Sequence, residues 1–205
     1  MLFLFFTLTE FIQKDQKYNN TCKIKFEKLN FFLLLVYCIN FTSLSLRIGV
    51  NMQGNYENKL SDEGITLPDA PAPAANYVPY VQVGNVLYVS GQISQNESGL
   101  ILGKLGENMT IEQGAEAAKF CAMSLLAQVK SACDGDLDRL VRVIKLTGFV
   151  NSTPDFTQQP QVINGASDLL GNVLGDAGKH ARVAVSANSL PLGVAVEIDG
   201  IFQIS

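Results

Sequence analysis

Apolar residues recur along this chain at two spacings, and the spacing decides the element. A period of two marks a strand, whose side chains leave alternately to its two faces, and a period of 3.6 marks a helix. In residues 194–204, Val194, Val196, Ile198, Phe202 and Ile204 share one face, and Glu197, Asp199 and Gln203 share the other. Residues 181–187 are small and β-branched, and Ser189-Leu190-Pro191 lies between the two runs. The pair is expected to form a half-buried antiparallel hairpin. Two full charges interrupt it, Arg182 in the first strand and Glu197 in the second. With the turn centred between Ser189 and Leu190 they lie opposite one another. Such a pair is either an exposed cross-strand ion pair, worth roughly 0–1 kcal/mol, or the polar centre of a site, and spacing alone serves both readings.

The same reading applies upstream. Residues 56–63 form a short helix closed by Gly64, and a Pro- and Ala-rich connector follows. Residues 80–83 and 86–92 flank Gly84-Asn85, which predicts a hairpin. Its second strand ends in Ser90-Gly91-Gln92. A glycine there admits close approach of another group, although a bulge at the strand end is the simpler explanation. Residues 96–107 form a glycine-rich loop that can hold one very short strand at 99–103. Thr110, with Gln113 three residues on, is a capping box, and Ala115, Ala118, Ala122, Leu125, Leu126 and Val129 repeat at helical spacing to about Ala132. Residues 134–138 lack the closing Glu of a calcium loop and are expected to be a helix-exit turn. Residues 140–150 alternate as a strand, and 159–174 carry Val162, Ile163, Ala166, Leu169, Leu170 and Val173 on one helical face. The order ββ(β)αβαββ, with one-sided helices, predicts an α+β fold: a mixed sheet with two helices packed on one face. The other face is too apolar to meet water, and a symmetric oligomer is the ordinary way to cover it.

Composition divides the 205 residues in two. All seven prolines and all but one of the seventeen glycines follow Met52, and residues 1–51 carry six Lys/Arg against three Asp/Glu, leaving nine against sixteen in the rest. An acidic domain without a basic cluster is poorly suited to nucleic acid, where several cations must act together. The apolar runs of residues 1–51 are too short to span a bilayer, which takes about twenty residues, and lack the layout of a secretory signal. The segment is an anchor or an extension outside the working protein; the second is preferred, with Met52 as the functional start, residues 1–51 irregular and dispensable, 52–67 a lead-in and 68–205 the main domain. Cys22, Cys38, Cys121 and Cys133 form no metal or disulfide pattern, so no metal is expected and a reducing compartment, the cytoplasm, is the simpler inference.

The chain resembles the Rid family (RidA or YjgF type, L-PSP endoribonuclease-like), in a divergent chorismate-mutase-like branch. The resemblance rests on 78-VPYVQ-82, 84-GNVLYVSGQ-92, Ala181-Arg182, Leu190-Pro191 and Val196-Glu197-Ile198 in this order, and covers residues 68–205. It implies a chorismate-mutase-like (bacillar type) fold assembled as a homotrimer, with clefts between subunits. It also implies cofactor-free hydrolysis of reactive 2-imino acids to 2-keto acids and ammonia. In that frame Arg182 holds the substrate carboxylate, a task suited to the two-pronged guanidinium. Glu197 positions water or passes protons. Tyr80, Ser90 and Gly91 line the cleft, and Asn164 matches a polar residue of the second helix across an insertion. Typical deaminases carry Cys two residues after the Arg, where this chain has Ala184. The expected partners are therefore a small 2-imino or 2-keto acid and other copies of the chain, with neither nucleic acid nor, for residues 52–205, a membrane. A non-catalytic trimer that binds small carboxylates is the alternative, and an endoribonuclease a more distant one.

Overall fold

The computed structural model describes residues 55–73 and 75–205. The expectations for residues 1–51 lie outside them. The elements are α1 (Asn55–Asp62), β1 (Tyr80–Val83), β2 (Val86–Ile93), β3 (Gln95–Asn96), β4 (Gly99–Leu100), α2 (Ile111–Ala132), β5 (Leu140–Asn151), α3 (Gln159–Leu174), β6 (Ala181–Ala187) and β7 (Val196–Ile204). Five strands form one sheet in the order β1-β2-β7-β5-β6, while β3 and β4 pair separately beside it. The fold is α+β with a mixed sheet, because β5 and β6 run parallel and the other neighbours antiparallel.

Both long helices cover the same sheet face. From α2, Ala118, Ala122, Leu125 and Val129 are fully buried, and from α3, Val162, Ile163, Ala166 and Leu170, against Leu146, Val150, Ile198 and Phe202 of the sheet. Small residues bring the two helices together. A side chain at Gly165 would collide with the Ala115 carbonyl, so only glycine permits this approach. The capping box forms, with Gln113 N–H donating to the Thr110 Oγ1 and Thr110 N–H to the Gln113 Oε1. A helix-exit turn follows α2, and its Asp138 has a further task. Its carboxylate accepts from the backbone N–H groups of Asn55 and Tyr56 at 2.7 and 2.9 Å, satisfying two orphan donors at the start of α1. The Gln128 amide donates to the Pro71 carbonyl at 2.6 Å and ties the proline-rich connector to α2.

Residues 181–204 do not form the expected hairpin. Strand β5 lies between β6 and β7, parallel to the first and antiparallel to the second. Two physical features explain the arrangement. The connection occupies residues 188–195, longer than the two to five residues of a tight β-turn connection. In addition, β5 and β6 are joined through α3, and a strand–helix–strand run favours parallel neighbours. The connection straddles the end of β5, where Asn151 N–H donates to the Ala195 carbonyl and the Asn151 side-chain amide to the carbonyls of Gly103 and Val194. Strict alternation along β5 also fails. Its pairing with β7 shifts register twice, between Leu140 and Arg142 and between Val143 and Lys145, so Leu140, Val143 and Leu146 all reach the core.

The second sheet face carries no helix among the described residues. Val81, Val83, Tyr88, Val183 and Val185 lie on it between 40% and 63% exposed. Val81, Val83 and Tyr88 form one apolar group at the β1–β2 edge and Val183 and Val185 a second at the β6 edge, more exposed apolar surface than single scattered residues supply.

Candidate functional site

Two polar clusters stand out against this framework, one on each face of the sheet. The first is at the β6 edge, on the helix side. Arg182 pairs with Leu146 of β5 and therefore points toward α3. Its Nη1 donates to the Asn164 Oδ1 at 2.9 Å and to the Ser167 Oγ at 3.0 Å, and its Nη2 makes a longer contact, 3.4 Å, with the Pro160 carbonyl. Beside the guanidinium is a depression of about 290 Å³ lined by Ser167, Gly171, Gly178, Lys179, His180 and Arg182. Both full charges lining it are positive. Lys179 is held by Asp176 at 2.7 Å, and the Lys179 carbonyl accepts from Arg142.

The second cluster is built on a bulge. The pairing of β2 with β7 slips between Val89 and Gln92, which places Ser90 and Gly91 in an irregular step of the strand. Each residue of Ser90-Gly91-Gln92 has a separate role there. The Gln92 amide donates to the carbonyls of Ser90 and Gly91, satisfying acceptors that the slipped ladder leaves. Ser90 Oγ donates to the Val78 carbonyl at 2.8 Å and holds the approach to β1. Gly91 makes room for Glu197: a Cβ at Gly91 would overlap the Glu197 carboxylate. The bulge and the close approach, alternatives at the level of the sequence, are one feature.

Glu197 is electrostatically uncomfortable. Burial pushes its pKa up and the neighbouring Asp199 carboxylate pushes it further. Asp199 is itself raised by burial, with Thr147 and Lys145 pulling it back. Among the described residues no cation lies within ion-pair distance of Glu197. A half-buried carboxylate of this kind can take and return a proton nearer neutrality than an ordinary one.

The two clusters do not meet within one chain. Arg182 and Glu197 are neither paired nor opposite: β5 separates their strands, Glu197 lies across from Phe149, and the two side chains leave opposite faces of the sheet. Asn164 joins Arg182, while Ser90 and Gly91 join Glu197. Tyr80 packs on the helix side of β1, one residue out of register with Ser90. Because β1 and β6 are opposite edges of a five-stranded sheet, Tyr80 is about 19 Å, four strand spacings, from the β6 edge. Ala184, where the resemblance leads one to expect Cys, is half-buried against the core and leaves a smaller wall beside Arg182. Cys121 is no substitute. Its thiol is fully buried, donates to the Val196 carbonyl and is pushed well up by desolvation, which makes it inert.

Sequence reasoning missed Ser167, His180 and Gln92 as parts of these clusters. For Gln92 the signal was its place after a Ser-Gly step. Ser167 and His180 carry no periodic signature. Among the described residues no group of three or more His, Cys, Asp or Glu is placed to hold a metal ion, and no helix is long and apolar enough to cross a membrane.

A mixed sheet with two helices on one face, an Arg on its edge strand and a Glu seated on a Ser-Gly bulge define a recognisable class. Residues 57–199 match the family model described as "YjgF/chorismate_mutase-like, putative endoribonuclease", and the chain belongs to that family. Its relatives place it further. It is 46% identical over 160 residues to Protein TCP17 of Trypanosoma cruzi, covering 77% of this chain and 99% of that one. A solved Agrobacterium tumefaciens protein of unknown function is 47% identical with a TM-score of 0.70, over 76% of this chain and 96% of its own. A Shewanella oneidensis structure bearing the same endoribonuclease description is 32% identical, also with a TM-score of 0.70, over 74% of this chain and all of its own. More distant is the 2-iminobutanoate/2-iminopropanoate deaminase of Dermatophagoides farinae, 25% identical over 142 residues, 68% of this chain and 94% of that one.

Proposed function

We propose that this protein is a cofactor-free hydrolase of small 2-imino acids, working as a homotrimer whose clefts combine residues of two subunits. The observation that carries the proposal is Glu197: a half-buried carboxylate with a raised pKa, seated over Gly91 and lacking a cationic partner among the described residues. In the proposed reaction Arg182 grips the substrate carboxylate with guanidinium N–H groups that α3 leaves free. Glu197 takes a proton from water as the oxygen adds to the imine carbon, and the imine nitrogen is protonated in turn. The tetrahedral adduct collapses to the 2-keto acid, and the C–N bond breaks to release ammonia. Water supplies the oxygen, and no electrons change hands.

The opposite placement of the two clusters supports an intersubunit cleft, since one chain cannot direct both at a single small molecule. The exposed apolar sheet face supports the same assembly, because neighbouring copies would cover it. The distant deaminase relative lends the chemistry, and the acid-rich composition of residues 52–205 weighs against a ribonuclease.

The test uses an amino-acid oxidase to generate imine and semicarbazide to trap what survives. Wild-type protein is expected to reduce trapping, and Arg182→Ala to abolish the effect. Unchanged trapping with wild-type protein would sink the proposal. Ala184 motivates one alternative, a trimer that binds small carboxylates without turnover. A 2-keto acid that raises the melting temperature while imine trapping stays unchanged would select that reading.

A further inference from the structure

We infer that Ser167 and His180 are positioning residues that fix the guanidinium of Arg182 and thereby choose which of its edges meets a ligand; the inference rests on Arg182 as the carboxylate holder. It begins with a chain of three hydrogen bonds whose directions are forced. Arg182 Nη1 can only donate, so the Ser167 oxygen, 3.0 Å away, accepts. The Ser167 hydroxyl proton then faces His180 Nε2 at 3.1 Å. On the far side of the ring, His180 Nδ1 is 2.5 Å from the Gly178 carbonyl, which only accepts, so Nδ1 carries the proton and Nε2 is the bare nitrogen that receives the serine. Each link permits one arrangement in the neutral ring.

The consequence falls on Arg182. Nη1 has two N–H groups, and Asn164 and Ser167 take both. The side-on edge of Nε and Nη2 is left, met only by the long Pro160 contact. That edge presents two parallel donors at the spacing of carboxylate oxygens. A guanidinium released from Ser167 would rotate among its edges and lose orientation before it lost charge. The adjacent depression, lined by Ser167 and His180 as well as Arg182 and Lys179, has only positive full charges in its wall, which suits an anion near the guanidinium.

The residues reach these positions by different routes. Asn164 and Ser167 are three apart on α3 and so share a face, directed at the β6 edge. His180 immediately precedes β6 and turns its ring back to the helix. Gly178 must be glycine, because a Cβ there would strike the Leu170 carbonyl.

The experiment uses the full chain and two readouts. The sequence has a single histidine, so long-range 1H–15N spectra of the neutral imidazole report His180 without assignment. The Nδ1–H tautomer is expected, and a predominant Nε2–H tautomer would overturn the relay. In imine hydrolysis, Ser167→Ala and His180→Leu should each raise KM about tenfold with kcat within about twofold, as loss of ground-state orientation requires. Ser167→Thr and His180→Gln, which keep a hydroxyl and an acceptor, should restore KM. A KM within twofold of wild type in both disruptive variants overturns the inference. If wild type has no turnover, calorimetric binding of pyruvate replaces KM, with the same tenfold weakening expected; turnover then fails as a reading while the positioning role stands. A wild type that neither hydrolyses imine nor binds pyruvate overturns the carboxylate assignment of Arg182, and the positioning role with it.

Discussion

The β6 edge and the bulge in β2 hold the two charged groups of this molecule in opposite ways. Around Arg182 the hydrogen bonds are explicit: Asn164, Ser167 and Pro160 receive the guanidinium, and His180 fixes the serine. Around Glu197 the fold supplies space and burial but no counter-charge within the described residues, and Asp199 adds a second negative group. A group meant to bind gains from being held still, since orientation is settled before the ligand arrives. A group meant to exchange protons gains from a strained charge, since its two protonation states are brought closer in energy. In the proposed reaction the difference separates a holding half from a reacting half. The sheet keeps the halves apart.

The widest test of that division uses both halves at once. Arg182→Ala and Glu197→Gln are each expected to lower kcat/KM for imine hydrolysis by about a hundredfold or more, the range of a lost general base or anchor. Refolding an equal mixture of the two inactive variants should restore about a quarter of wild-type activity, because half of the chains offer an intact Arg and half an intact Glu to any cyclic neighbour. Activity that stays absent in the mixture would place both residues in one subunit's site, or in none.

A narrower change moves Glu197 without altering its charge. Gly91→Ala puts a methyl group where the carboxylate sits. The expected result is a roughly tenfold fall in kcat with KM for the carboxylate substrate nearly unchanged and little change in stability by denaturant titration, because the flexible Glu197 side chain can swing aside. An equal loss in KM would mean that the two halves are not separable.

The smallest effect concerns pH. Because burial and Asp199 raise the pKa of Glu197 in the folded chain, its contribution to stability is fully present below the unfolded-state value and is lost as pH rises through the folded one. Glu197→Gln should therefore melt higher than wild type at neutral and alkaline pH, and the gain should shrink to nothing on acidification. A variant less stable than wild type at pH 8 would show that the charge has a favourable partner.

Much of this organisation can be read from the residues. The Thr110–Gln113 box and the apolar repeat that follows specify α2, the Gly84-Asn85 pair specifies the first hairpin, and the alternation through β7 sends Glu197 and Asp199 away from the core. What escaped is what alternation cannot encode. The pattern of residues 181–187 fits any neighbour, so β5 could intervene between β6 and β7 and undo the apparent pairing of Arg182 with Glu197. The two register shifts of β5 replace a spacing of two with a spacing of three. At the candidate site, the resemblance singles out Arg182, Glu197, Tyr80, Ser90, Gly91 and Asn164, whereas their division between two faces depends on strand order. Ser167 and His180 were invisible because a lone serine and a lone histidine become partners only when α3 lies over β6.

Strand β7 follows every other strand in the chain and yet lies in the middle of the sheet, between β2 and β5. During synthesis, β1, β2, both long helices, β5 and β6 emerge while the central plank of their sheet is still missing. The first hairpin and the β5-α3-β6 unit can form beforehand, but as two separate pieces, each with an unpaired edge waiting for β7. Closure is a late, long-range event, joining Leu87 to Phe202 across most of the domain's length, and such contacts slow folding. The nascent chain is then most exposed to mispairing just before its last strand arrives.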